Sequence, residues 1–99
     1  MFLFFSIKDP PVTFVNKEDD IVVTGYEAES VTLMSYVSKE SAPVRWMKDW
    51  TAVEGDRFRA LMEGHKRTLI IEPLRRSDAG EYTCDANTDQ IHFSLLVKG

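Results

Sequence analysis

The sequence predicts an all-β domain, a sandwich built from short strands. Three observations carry that prediction. Short segments of alternating apolar and polar residues recur along the chain with turn residues between them. No run holds helical spacing for three turns, and there is no repeat or low-complexity tract. The chain has 99 residues, of which 43% are hydrophobic, enough for one domain with a real core.

The elements follow in order. Pro10-Pro11 opens an edge-like strand over Val12–Val15, because proline donates nothing to a ladder. A polar break spans Asn16–Asp20. Ile21–Thr24 follows, then a turn at Gly25. Ser30–Val37 alternates cleanly, with Val31, Leu33, Ser35 and Val37 on one face and Thr32, Met34 and Tyr36 on the other. Lys39–Pro43 is a loop, and Val44–Lys48 a short strand with Val44 and Trp46 on one face. Asp49–Asp56 is a turn region. Arg57–Met62 and Thr68–Ile71 form a hairpin around Glu63-Gly64-His65-Lys66. Pro73–Asp78 is a loop with room for one helical turn. Gly80–Asn87 and Gln90–Val97 are the last strands, joined at Thr88-Asp89; Ile91, Phe93, Leu95 and Val97 share a face.

Composition excludes several functions. The formal net charge is −4, against a nucleic-acid partner, which needs a basic face. Lys66-Arg67 and Arg75-Arg76 read as two solvated turns. The apolar start, residues 1–8, is too short for a membrane span and lacks the basic flank and cleavage site of a secretory signal. It reads as a boundary segment of a longer polypeptide or an expression scar, with the domain over 9–99. No N-x-S/T sequon occurs, and Cys84 is the single cysteine. A reducing compartment is therefore favoured.

No catalytic constellation is expected. His65 falls in a turn and His92 on the outward face of the last strand, neither with partners at metal spacing. Glu18-Asp19-Asp20 lacks the alternating oxygen ligands of a calcium loop. Ser35 has no histidine near it in this layout and is expected to bond backbone. Cys84 is expected to be an inert thiol among apolar neighbours. No cofactor is implied.

The run Asp78-Ala-Gly80-Glu-Tyr82-Thr-Cys84 has the form D-x-G-x-Y-x-C. With Trp46 upstream and the alternating strands, it resembles the immunoglobulin fold over nearly the whole chain. The split first strand, and a stretch after Trp46 too short for extra strands, resemble the I-set: an immunoglobulin-like β-sandwich of two antiparallel sheets with Greek-key connections. The phrases Ala42–Asp49 (APVRWMKD) and Arg67–Glu72 (RTLIIE) resemble modules of the intracellular giant muscle proteins, the titin, obscurin and myosin-binding protein C type, with obscurin or obscurin-like modules nearest.

The resemblance implies a core of Trp46, Cys84, Tyr82, Leu33, Leu69 and Ile71. It implies a corner built by Asp78 and Gly80, with Arg57 pairing to Asp78. The family's second cysteine is replaced by Ser35, and Trp50 stands where such modules usually have glycine, so its turn should differ from theirs. Met34, Tyr36 and Ile70, with Trp50 at a loop, are the candidate partner surface. The edges of Val12–Val15, Ile21–Thr24 and Phe93–Val97 are candidates for strand addition, with Asp85, Thr83 and Thr88 decorating the solvent side. The implied function is a non-catalytic interaction and structural module of a cytoskeletal or sarcomeric scaffold, at the M-band or Z-disc. Its partners would be other proteins, such as immunoglobulin or fibronectin-III domains, and neighbouring domains of its own chain, with no membrane. The alternatives are an extracellular adhesion or receptor domain, which would want a partner cysteine or a sequon, and a regulatory domain adjoining a kinase.

Overall fold

A computed structural model describes residues 11–15, 17–18 and 21–99. The boundary segment 1–8, and Asn16, Asp19 and Asp20 of the polar break, lie outside the described residues. The strands are β1 (Ile21–Tyr26), β2 (Val31–Tyr36), β3 (Arg45–Lys48), β4 (Thr51–Ala52), β5 (Phe58–Glu63), β6 (Lys66–Ile71), β7 (Gly80–Asp85) and β8 (Gln90–Lys98), with a 3-10 turn at Arg76–Asp78. Two sheets form, in the orders β1-β8-β7-β3-β4 and β2-β6-β5. The chain crosses between them after β1, β2, β4 and β6, the woven connectivity of an immunoglobulin-like sandwich. Pairing is antiparallel except at one edge, where β1 lies parallel to β8.

Strand alternation places the core. Val31, Leu33 and Ser35 of β2 face Leu69 and Ile71 of β6 and, from the other sheet, Trp46, Tyr82, Cys84, Ile91, Phe93 and Leu95, all buried. Trp46 packs on Phe93 with ring centroids 5.8 Å apart and is the cross-strand partner of Cys84. Its buried Nε1–H has no hydrogen-bond partner among the described residues.

Several elements differ from expectation. Val12–Val15 makes only an isolated bridge, Phe14 to Val37. The Thr13 N–H is diverted to the Ser38 hydroxyl (3.0 Å) instead of a main-chain carbonyl, leaving two main-chain bonds, Val15 N–H to Tyr36 and Ser38 N–H to Thr13; the Phe14 N–H, which faces away from this ladder, donates to the Asp89 carboxylate (3.0 Å). Gly25 lies inside β1 rather than in a turn. A Cβ there would sit 2.5 Å from Leu74 Cδ2, so this glycine serves close packing. The stretch after Trp46 does hold a strand, the two-residue β4, which pairs back on β3.

The turn that enters β4 is made by Asp49 and Trp50. Asp49 and Trp50 have φ of +49° and +69°, the two consecutive left-handed residues of a type I′ hairpin. The tryptophan therefore accepts a conformation that glycine or asparagine would take at lower cost.

Candidate functional site

The corner between β6 and β7 is held by several side-chain hydrogen bonds. The Tyr82 ring is fully buried, and its hydroxyl donates to the Asp78 carbonyl at 2.6 Å. The Asp78 carboxylate, 3% exposed as a residue, accepts a two-pronged contact from Arg57 Nη1 and Nη2 at 2.7 and 2.9 Å and a bond from the Arg75 N–H at 2.8 Å. Arg57 also donates to the Pro73 carbonyl at 2.8 Å, so it spans the loop before the 3-10 turn. Burial alone would raise the Asp78 carboxyl. The Arg57 bonds and the Arg75 amide outweigh it and hold that group below the usual carboxylate range. The Asp78 bond in turn raises the Arg57 guanidinium. Burial, with the Asp78 charge, pushes the Tyr82 phenol well above its ordinary value.

Gly80 sits at φ +152°, and a Cβ there would approach Asp49 Oδ2 and the Lys48 chain to 3.2 Å. Asp49 leans on this spot because its N–H donates to the Glu81 carbonyl at 2.8 Å. The corner and the β3–β4 turn are thereby locked together.

The space where the family's disulfide would lie holds Ser35 and Cys84. The Ser35 hydroxyl donates to Cys84 Sγ at 3.6 Å rather than to backbone, because the thiol is its cross-core neighbour. Burial pushes the Cys84 thiol up to about 12, so it is protonated at neutral pH.

Arg67 corrects the expectation of a solvated turn. Its side chain is fully buried. Nε and Nη2 donate to the Ala42 carbonyl (3.1 and 2.8 Å), Nη2 also to Glu40 (2.7 Å), and Nη1 to Gly64 and Lys66 (2.7 and 2.9 Å). Carbonyl dipoles thus take the place of a counter-ion, and the guanidinium ties the β2–β3 loop to the β5–β6 hairpin. The signal was present: alternation carried one step back from Leu69 and Ile71 points Arg67 inward.

The candidate partner residues separate onto two sheets. Met34, Tyr36 and Ile70 lie together on the outer face of β2-β6-β5, with Leu61 of β5 across Thr68 from Met34. Met34, Tyr36 and Leu61 are all exposed. Sequence reading missed Leu61, although its alternation with Arg59 and Glu63 would have shown it. Trp50 is not part of this face. It is 65% exposed on the other sheet, edge-on to His92 with centroids 5.8 Å apart. His92 Nδ1 in turn lies 3.0 Å from Thr83 Oγ1. Thr83 is consequently buried rather than decorating the solvent side.

Of the candidate edges, Phe93–Val97 is excluded. Strand β8 is hydrogen-bonded on both sides, by β1 and β7. His65 Nδ1 lies 2.8 Å from the Val37 carbonyl, a structural tie. Among the described residues, no three His, Cys, Asp or Glu side chains gather where a metal could be held.

Strand order, the tyrosine corner and the Trp46–Cys84 core define an immunoglobulin-like domain. The sequence model of the immunoglobulin I-set domain matches residues 12–92, and the chain belongs to that family. It is 36% identical over 96 residues to fast-type myosin-binding protein C of Gallus gallus, covering 93% of this chain and 8% of that protein. The chain thus spans less than a tenth of the length of the curated relatives it matches. Among solved structures, an Ig-like domain of human obscurin-like protein 1 superposes with a TM-score of 0.85 at 28% identity, covering 94% of this chain and 90% of that one. Domain I10 of titin gives 0.80 at 23% identity, covering 90% and 100%, a likeness of fold. The resemblance to muscle-protein modules drawn from the phrases Ala42–Asp49 and Arg67–Glu72 agrees with these relatives.

Proposed function

We propose that this domain is a non-catalytic docking and structural module of a large cytoskeletal scaffold in striated muscle, placed at the M-band or Z-disc. The observation that carries this reading is its homology, over nearly the whole domain, to myosin-binding protein C. The geometry supports it. The corner, Arg67 and the core spend their polar chemistry on holding the sandwich shut. Among the exposed apolar residues, Met34, Tyr36 and Leu61 gather with the half-buried Ile70 on one outer face, a surface suited to another protein's side chains.

The partners are then sarcomeric protein domains and neighbours in the same polypeptide. Localisation tests the reading. A fluorescently tagged domain expressed in striated muscle cells should label a repeating band in register with the M-band or Z-disc. The double substitution Met34→Asp with Tyr36→Asp, with its unfolding midpoint unchanged, should make the label diffuse. A diffuse wild-type label would sink the proposal. Retention of the bands by the variant would move the docking surface elsewhere.

A further inference from the structure

We propose that the free edge of β5 pairs antiparallel with the same edge of a second copy of this chain, giving a two-fold dimer with a continuous six-stranded sheet. Among the described residues, β5 is hydrogen-bonded on one side only, to β6. Its register with β6 runs unbroken from Phe58 to Glu63, and it carries no proline or bulge, the devices that usually blunt an edge. None of its residues is buried, and Leu61 and Met62 are 44% and 58% exposed.

The main chain limits which registers are open. The Glu72 N–H donates to the Arg57 carbonyl at 2.9 Å, so Arg57, Arg59, Leu61 and Glu63 turn their main-chain groups to β6. Ala60 and Met62 turn theirs to solvent. An antiparallel partner must match outward groups with outward groups. A two-fold axis through Leu61 does so: Ala60 meets Met62 of the second copy, twice over, for four main-chain bonds.

That same register is the one in which the side chains complement each other. Arg59 of each copy comes opposite Glu63 of the other, giving two cross-strand ion pairs. Leu61 meets its own counterpart at the axis, on the same face. Moving the axis to Ala60 or Met62 sets Arg59 opposite Leu61 or His65 and loses both pairs. Both charges are available. Arg59 makes no salt bridge among the described residues, and Glu63 has only a 4.0 Å contact with Lys66. Arg57, one turn of alternation away, is committed to Asp78. The patch is thus self-complementary in hydrogen bonds, charge and apolar contact at a single register, which is what a partner identical to itself requires.

Analytical ultracentrifugation of this chain over a range of concentrations, at low salt, tests the proposal. The expected result is a concentration-dependent monomer–dimer equilibrium. Arg59→Glu or Glu63→Arg alone places like charges opposite one another and should weaken the dimer by about tenfold or more. The double reversal Arg59→Glu/Glu63→Arg restores opposite charges and should restore the dimer. Each variant is checked by its thermal midpoint, and the positions are exposed, so folding should hold. A monomer at every concentration overturns the proposal, as does a dimer indifferent to the single reversals or not rescued by the double. Neither result bears on the localisation test above, which turns on Met34 and Tyr36.

Discussion

Substitution of Arg57 by alanine offers the sharpest test of how the corner is held. The change leaves the Asp78 carboxylate, whose side chain is 4% exposed, with the Arg75 N–H as its remaining donor at 2.8 Å. Breaking a buried pair from one side costs about 3–5 kcal/mol; the Arg57 side chain is 20% exposed, so water shares its load and about 3 kcal/mol is expected. For a chain of this length that is a fall of about 12–15 °C in Tm. Asp78→Ala should cost a similar amount, since it strands the guanidinium and the Arg75 amide. The double variant buries no unpaired charge. Its loss should therefore fall short of the sum by about 2 kcal/mol. Urea unfolding of the four proteins at pH 7 measures the cycle, and losses that add within about 0.5 kcal/mol would refute the coupling. Acid supplies a second check. Because the folded-state pKa of Asp78 is depressed, its contribution is complete above the ordinary aspartate value near ~4 and is lost as pH falls through the folded value. The advantage of wild type over Asp78→Asn should shrink below about pH 4, and an advantage undiminished there would contradict the ionic account.

Arg67→Met should destabilise by roughly 2–4 kcal/mol in urea unfolding, because it unpairs the buried Ala42 carbonyl and the part-buried carbonyls of Glu40, Gly64 and Lys66; a loss below about 1 kcal/mol would mean water replaces the guanidinium. Ser35→Cys sets two sulfurs across the 3.6 Å contact, and oxidation should close a disulfide worth about 2–4 kcal/mol, seen by mass and by a raised midpoint. In wild type, the Cys84 thiol should react with a thiol reagent at pH 8 only as fast as the domain opens. Its raised folded-state pKa stabilises fully below about pH 8.5 and is lost as pH climbs towards about 12. Trp50→Gly should stabilise by about 0.5–1 kcal/mol, since relief of the left-handed φ, about 1–2 kcal/mol, outweighs glycine's extra unfolded-state entropy; a loss would show that the His92 contact dominates.

The sandwich was legible in the sequence because strand alternation has a fixed period. Val31-x-Leu33-x-Ser35 could only bury one face, and the D-x-G-x-Y-x-C run marks a corner whose bonds span few residues. Tyr82 reaches Asp78 within one local turn. The family follows from the same local pattern. What a linear reading misplaced depends on which segments meet across the fold. Arg67 looked like a turn cation because its partners, Glu40 and Ala42, belong to a loop distant in sequence. Val12–Val15 reads as a strand, but the Thr13 amide goes to the hydroxyl of Ser38, distant in sequence, and the pairing shrinks to one bridge. Trp50 was grouped with Met34 and Tyr36 by exposure alone; strand order put it on the opposite sheet beside His92. Strand order likewise closed the Phe93–Val97 edge and opened that of β5. Periodicity and turn chemistry are properties of a few neighbouring residues, so the sequence by itself determined most of the strands, their core faces and the family. Edges, buried cations and surface groupings are set by non-local pairing, and only the tertiary structure decided those.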